Sequence, residues 1–337
     1  MYDKAPFPDN QPVRTGILLV NLGTPDSASV SDVRRYLDEF LSDPRVVEVP
    51  RLPWFLILHL VILRIRPGRS TKAYQSVWSD EGSPLLAISR RQADKLQQQL
   101  DPEKSSTVVA LGMRYGNPSI ADALDELKKQ NARRILVLPL YPQYSASTVA
   151  SVFDAVTDEL QTWRWIPECR FINNYPEHPD YIEALAESVR QHREQHGSAD
   201  KLLLSFHGIP QEYVDKGDPY ADECRQTAEK LAQALNLDNS DWLQTFQSRV
   251  GNKPWLQPYT DATMKSLAAE GVKSVQVICP GFSVDCLETI EEIDDENRHY
   301  FLDNGGERFE YIPALNDSDD HIAMMSSLIA QHTNGWD

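Results

Sequence analysis

Two hydropathy patterns alternate along the chain. Short apolar runs stop abruptly at Gly and Pro, as in Leu18-Leu-Val-Asn-Leu-Gly-Thr-Pro25 and Leu203-Leu-Ser-Phe-His-Gly-Ile-Pro210, and read as buried strands. Between them lie segments with apolar residues at three- and four-residue steps, Ile120 to Lys129, Pro179 to His192 and Asp222 to Leu235, the mark of amphipathic helices. Strands alternating with helices of that length predict right-handed βαβ units and mostly parallel sheets, an α/β fold. Glu310-Tyr-Ile-Pro313 reads as the last strand, and the periodic stretch from Ser318 to Gln331 as a tail helix that crosses back onto the first domain.

The pattern also repeats. Besides the two Gly-x-Pro stops, which set Leu22 opposite His207, Arg114-Tyr-Gly-Asn-Pro118 echoes Arg249-Val-Gly-Asn-Lys-Pro254, and Val137-Leu-Pro-Leu-Tyr141 echoes Ile278-Cys-Pro-Gly-Phe282. Three matches in the same order predict two similar α/β halves. We expect a first domain over residues 12–165, a second over 166–313, and a C-terminal helix over 314–331.

The first half carries an insertion of roughly fifty residues after its first strand, within about 40–90. Inside it, Leu52-Pro-Trp-Phe-Leu-Ile-Leu-His-Leu-Val-Ile-Leu63 is flanked by Arg45, Arg51, Arg64, Arg66, Arg69 and Lys72. It is shorter than the roughly 20 apolar residues that span a bilayer. One reading is a buried core helix. The other is an apolar lip that guides a greasy ligand or touches a membrane surface through residues 52–65.

Composition is that of a globular enzyme, 41% hydrophobic and 25% charged. A formal net charge of −17 sets nucleic acid aside as a partner, because neutralising phosphates needs a basic face. Cys169, Cys224, Cys279 and Cys286 show no Cys-x-x-Cys spacing. Free thiols in a reducing cytoplasm are the simplest expectation, with no cysteine-held zinc or iron–sulfur site.

Candidate chemistry lies at the strand stops, where open α/β sheets bind ligands. His207 stands at one stop, and Glu288 follows another, Cys279-Pro-Gly-Phe-Ser-Val-Asp-Cys-Leu-Glu288. A lone His is often a core residue satisfied by a backbone carbonyl, and Asp285-x-x-Glu288 has the spacing of a helix capping box. Beyond it, Glu288, Glu292 and Glu296 recur every fourth residue, with Glu291 and Asp295 adjacent. Like charges stacked on one helix face destabilise it unless they meet a cation or solvent. A cation path is the sharper reading of the stripe, a solvated face the plainer one.

These segments together resemble the ferrochelatases, which insert ferrous iron into a porphyrin to make haem. The resemblance is carried by Val20-Asn-Leu-Gly-Thr-Pro25, Tyr141-Pro-Gln-Tyr-Ser145, Ser205-Phe-His-Gly-Ile-Pro210, Gly217-Asp-Pro-Tyr220, Phe246-Gln-Ser-Arg-Val-Gly251 with Pro254-Trp-Leu256, and Cys279 to Thr289. It extends from Gly16 to Ile329 and is nearest to the bacterial branch acting on protoporphyrin IX. It implies two Rossmann-like, chelatase-like domains with parallel sheets facing a central cleft that holds the porphyrin. By position, it implies His207 and Glu288 as catalytic residues and metal ligands, with Glu292 and Glu296 continuing as a metal path. Leu22, Arg114, Tyr115, Tyr141, Trp255 and Phe282 fall on porphyrin-lining positions. Cys286 stands where some members have His, and Ala146 where some have Cys.

Metallation requires the ring to lose two N–H protons inside an apolar pocket, so a general base is needed. An imidazole with an ordinary pKa near 6.5 accepts protons at neutral pH, and imidazole and carboxylate both suit Fe²⁺. Whether His207 takes the protons and Glu288 delivers metal, or the reverse, stays open at this level. Fe²⁺ is expected as a substrate, with no prosthetic group, and the protein is expected in the cytoplasm with a peripheral contact at the inner face of the membrane. Coproporphyrin ferrochelatase, cobaltochelatase and a non-catalytic porphyrin or haem carrier are the alternatives.

Overall fold

In the computed structural model, residues 6–251 and 253–336 are described. The chain forms two compact units. The first comprises the chain up to Tyr141, Ser145–Asn173 and the tail from Ile322. Its sheet is parallel, in the order β2-β1-β3-β4, with β1 Arg14–Thr24, β2 Thr107–Gly116, β3 Ala132–Pro139 and β4 Glu168–Phe171. β1 lies between β2 and β3, and Ile17, Leu18, Leu19 and Val20 are fully buried. A strand covered on both faces reads as a continuous apolar run for this reason.

The long β1–β2 connection holds α1 Val30–Ser42, α2 Arg51–Ile57, α3 Leu63–Val77 and α4 Pro84–Leu100. Ser29 caps α1 by accepting from the Asp32 N–H. α5 Ile120–Lys129 opens with a capping box between Ser119 and Asp122 and closes on Lys128 and Lys129, charges that suit the dipole at each end. α6 Ser151–Leu160 follows β3. The core gathers Leu18, Val20, Leu124, Ile135, Val137 and Trp163.

Within the insertion, Leu58–Ile62 is a π-helical turn between α2 and α3. Leu58, Leu63, Pro67 and Tyr74 turn inward and are buried. Leu52 (75% exposed), Phe55, Leu56, Ile57, Leu60 (56%), Val61 and Ile65 (72%) turn outward. The core-helix reading is therefore corrected: the segment buries one narrow stripe and leaves its broad apolar face open. Among the described residues no helix is long and apolar enough to cross a membrane.

The second unit, Pro142–Tyr144 with Asn174–His321, repeats the plan. β5 Lys201–His207, β6 Trp242–Gln247, β7 Ser274–Ile278 and β8 Arg308–Ile312 form a parallel sheet in the order β6-β5-β7-β8. Strand for strand, this is the order of the first sheet. Around it lie α7 Pro179–His196, α8 Gln211–Asp215, α9 Tyr220–Ala234, α10 Thr260–Ala269, a π-helix Glu288–Asn297 and α11 Arg298–Leu302, whereas the last helix, α12 Asp319–Thr333, belongs from Ile322 onward to the first unit. Leu203, Met264, Val275, Val277, Ile293 and Phe301 are in its core.

The expected boundary between residues 165 and 166 falls too early. β4 pairs with β3, which keeps it in the first sheet. The chain from Ile322 onward clusters with the same unit, where Arg170 Nη1 donates to the carbonyls of His332 (2.7 Å) and Asn334 (2.9 Å) and its guanidinium lies 4.4 Å from the Trp336 ring.

Candidate active site

His207 is the last residue of β5 and is half-buried. Its Nδ1 lies 2.6 Å from the Gly208 carbonyl oxygen, which can only accept, so Nδ1 carries the proton. Nε2 is thereby left with its lone pair free for a proton or a metal. The partner is the carbonyl of the next residue, so this hydrogen bond fixes the tautomer without holding the ring in the core. Gly208 is required by close approach. A Cβ there would sit 2.9 Å from the Gln247 carbonyl oxygen and 3.3 Å from the Trp255 ring.

Trp255 is partly buried beside this turn, its indole N–H donating to the Val250 carbonyl at 3.0 Å, and Leu256 N–H pairs with the Ile209 carbonyl at 3.0 Å. Phe282, past the end of β7, lies 6.5 Å from the His207 ring, centroid to centroid. Carboxyl ends of β5, β6 and β7 thus deliver the imidazole and its aromatic neighbours to one end of the second sheet.

The carboxylates arrive on the π-helix. Thr289, Ile293 and Asn297 form its buried stripe, and Glu288, Glu292 and Glu296 each precede one of them. Glu288 and Glu292 are partly buried and Glu296 is exposed, so the ladder climbs from the sheet end to solvent. The turn of a π-helix, closed by i→i+5 bonds, is wider than an α-helical one but still keeps four-residue steps roughly aligned.

Its first turn is tied to β6. Gln247 accepts from Ser205 Oγ (2.8 Å) and donates through Nε2 to the Glu288 carbonyl (2.8 Å), and Ser205 continues to Thr260 and Thr245. The capping-box reading of Asp285 and Glu288 is corrected, because the Asp285 N–H donates to Asn316 Oδ1 (2.8 Å) and is not available to Glu288. Thr289 does the capping instead, accepting from the Cys286 N–H at 3.0 Å.

Glu292 is gripped by Ser248. The Ser248 N–H donates to one carboxylate oxygen at 2.7 Å and its hydroxyl donates to the other. Ser248 adopts a left-handed φ of 67° to do so, an unusual conformation for a side-chain-bearing residue. Burial pushes the Glu292 carboxyl above its ordinary pKa, while the Ser248 bonds and the nearby His207 charge pull it down without fully offsetting that rise. Cys279 and Cys286 are raised well above the ordinary thiol value by burial and stay neutral thiols. Among the described residues, no group of three or more His, Cys, Asp or Glu side chains is placed to hold a metal ion.

In the first unit the corresponding strand ends carry Leu22, Arg114, Tyr115 and Tyr141. Leu22 is partly buried beside Gly23, whose φ of 104° and contact with Tyr115 exclude a side chain: a Cβ would fall 1.7 Å from the Tyr115 carbonyl oxygen. Arg114 Nη2, Tyr115 Oη and Ser151 Oγ all donate to Asp43 Oδ2, at 2.6, 2.8 and 2.6 Å. Tyr115 is almost fully buried, and Tyr141, packed against the core, keeps a buried hydroxyl without a hydrogen-bond partner among the described residues. Burial raises the Asp43 carboxyl, but the bonds from Ser151, Arg45 N–H and Tyr115, with the Arg114 charge, outweigh it and hold the group below the usual range. Asp43, Ser151, Gln247 and Ser248 were not singled out by sequence reasoning. Only Gln247 and Ser248 sit in a string noted for resemblance.

Comparison with known proteins decides what this geometry belongs to. The profile of the ferrochelatase family matches residues 14–333. A ferrochelatase of Hydrogenovibrio crunogenus is 57% identical over 95% of this chain and 86% of its own, and one of Alcanivorax borkumensis is 56% identical over 96% of each. The chain belongs to the ferrochelatase family. Ferrochelatase 2 of Shewanella oneidensis is also similar, 53% identical over 94% of this chain and 97% of its own. Among solved structures, SirB of Bacillus subtilis with Fe³⁺ superposes with a TM-score of 0.58 at 11% identity, covering 96% of this chain and 98% of that one. At that identity the likeness is one of fold alone, the two-sheet chelatase architecture that this ferrochelatase-family chain shares.

Proposed function

We propose that this chain is a ferrochelatase, a lyase of haem biosynthesis that inserts Fe²⁺ into protoporphyrin IX and releases two protons. What carries the reading beyond family membership is the pairing of His207, with a free Nε2 lone pair, and a carboxylate ladder on the adjoining π-helix. His207 accepts pyrrole protons, a general-base role worth about 10² to 10⁴ in rate. Glu288 opens the ladder, and Glu292 and Glu296 extend the route by which iron enters and protons leave. Carboxylate oxygens alone hold Fe²⁺ loosely, which leaves its other positions to the ring nitrogens, so the porphyrin wins the competition for iron. Iron is a substrate here, and the reaction needs no prosthetic group. Leu22, Arg114, Tyr141, Trp255 and Phe282 wall the macrocycle, and Tyr115 backs the wall from within the core.

The exposed face of Leu52, Phe55, Leu56, Ile57, Leu60, Val61 and Ile65 supports a peripheral contact with an anionic bilayer. Arg51, Arg64, Arg69 and Lys72 fringe it, exposed, in a chain of formal net charge −17. A basic rim around an apolar face matches acidic headgroups and delivers a water-insoluble substrate. These features support a peripheral position of the enzyme at the cytoplasmic face of the membrane.

Anaerobic incubation with Fe²⁺ and each porphyrin tests the assignment. Protoporphyrin IX should give the metalloporphyrin absorbance with repeated turnover. Stoichiometric binding without turnover would mean a carrier. A higher kcat/KM with coproporphyrin III and Fe²⁺, or with an eight-carboxylate ring and Co²⁺, would reassign the substrate.

A further inference from the structure

Arg114 is a cation whose charge is already spent. Asp43, with 3% of its side chain exposed, takes Arg114 Nη2 at 2.6 Å. Ser151 accepts from Arg114 Nε at 2.6 Å through its hydroxyl, which in turn donates to Asp43 at 2.6 Å. Asp43 Oδ1 accepts the Arg45 N–H at 2.7 Å. All four elements of this hub are held by backbone or buried side chains, so the guanidinium is fixed in place. Arg114 keeps 18% of its side chain exposed, and its Nη1 has no partner among the described residues. What is offered to a ligand there is a rigid set of N–H donors, two of them on Nη1, with no net charge behind it.

We propose that Asp43 is a specificity-determining residue, neutralising Arg114 so that the wall it forms accepts the apolar edge of a dicarboxylate porphyrin and discriminates against tetracarboxylate rings. The inference rests on the reading of Arg114 as a porphyrin-wall residue. Protoporphyrin carries vinyl groups where coproporphyrin carries two further propionates. Burying a propionate costs desolvation that only an uncompensated cation offsets. A neutral pair does not offset it, while a vinyl group has no such cost. Removing the Asp43 charge would expose Arg114 as a full cation and invert that preference.

The test is the ratio of kcat/KM for protoporphyrin IX to that for coproporphyrin III, with Fe²⁺ under anaerobic conditions. Asp43→Asn should lower the ratio about tenfold, mainly through a smaller KM for coproporphyrin, since a charge at this range is worth at least a factor of that order. Arg114→Gln, which leaves the anion, should raise it. The double variant Asp43→Asn/Arg114→Gln, neutral again, should return to the wild-type ratio, a double-mutant cycle that a merely structural role would not close. If Asp43→Asn does not fold, the opposite shift in Arg114→Gln and its cancellation in the double variant still decide the matter. A ratio constant across all soluble variants, with both porphyrins losing turnover in parallel, would overturn the proposal and leave Asp43 as a pin for the insertion. Wild-type enzyme that metallates neither porphyrin would instead overturn the underlying ferrochelatase reading, and this inference with it.

Discussion

Ser248 holds both oxygens of the Glu292 carboxylate, one through its backbone N–H at 2.7 Å and the other through its hydroxyl. This clamp couples the end of β6 to the middle of the π-helix, and with it the position of the carboxylate ladder relative to His207. It also sets a balance. Burial favours the protonated acid, and Ser248 favours the anion.

Ser248→Ala should tip that balance. Losing the hydroxyl removes one of the interactions that lower the Glu292 pKa, so a group already above its ordinary value rises further. Its anion is then present only at higher pH. The acid limb of the kcat/KM profile for metallation should move to higher pH, with a smaller loss of rate on the alkaline side. An unshifted acid limb would mean that Glu292 need not be ionised for turnover.

Glu288→Gln separates charge from architecture. The Asp285 N–H is taken by Asn316, and the Glu288 carbonyl, which the substitution leaves in place, carries the tie to Gln247. Thermal stability should therefore stay within about 0.5 kcal/mol of wild type, as for a substitution away from core and caps. Turnover should fall roughly 10²-fold if the carboxylate takes part in proton transfer. A matching loss of stability, read by thermal denaturation, would point to a structural role.

How much of this was legible beforehand follows from the range of each interaction. Strand stops at Gly23 and Gly208 were readable because local sterics demand glycine where a neighbouring strand's backbone crosses within contact distance. Duplication was readable because both sheets use the same strand order. β4 was missed as part of the first unit, since Glu168–Phe171 is a four-residue edge strand with no buried residue, and edge strands lack the apolar run that marks inner ones. The π-helix leaves no local mark: the same Glu288–Glu292–Glu296 spacing suits either winding. Asp43 was invisible because its partners Arg114, Tyr115 and Ser151 lie 71, 72 and 108 residues away in the chain. Only folding brings them to one carboxylate.

His321 predicts an acid-sensitive fold. It is buried, its Nδ1 donates to the Asn316 carbonyl at 2.7 Å, and burial lowers its pKa from 6.5 to about 4. The unfolded chain therefore binds a proton that the folded chain refuses. Stability is full above the unfolded value and declines as pH falls from about 6.5 towards about 4, by up to roughly 3 kcal/mol. Urea midpoints measured across that window should fall in wild type and flatten in His321→Gln, which has no titrating ring. Parallel curves for the two proteins would assign the acid sensitivity to other groups.

The lip offers the sharpest contrast between a structural and a functional apolar surface. Leu56 and Leu60 are 50% and 56% exposed, one four-residue step apart on the outward face, whereas Leu58 and Leu63 between and beyond them are buried. Replacing Leu56 and Leu60 with Asp places two carboxylates in water, at little cost to the fold. Buried unpaired carboxylates would cost several kcal/mol each, a large share of the 5–15 kcal/mol typical of a domain. Two negative charges inside a ring of Arg and Lys would, however, repel acidic headgroups and remove apolar area from the contact. The double variant should thus melt near the wild-type temperature, sediment less with vesicles containing anionic lipid, and show a raised KM for protoporphyrin supplied in those vesicles. Binding to such vesicles at wild-type strength by a folded double variant would show that this face meets neither lipid nor substrate, and would leave its exposure to be explained by a protein partner.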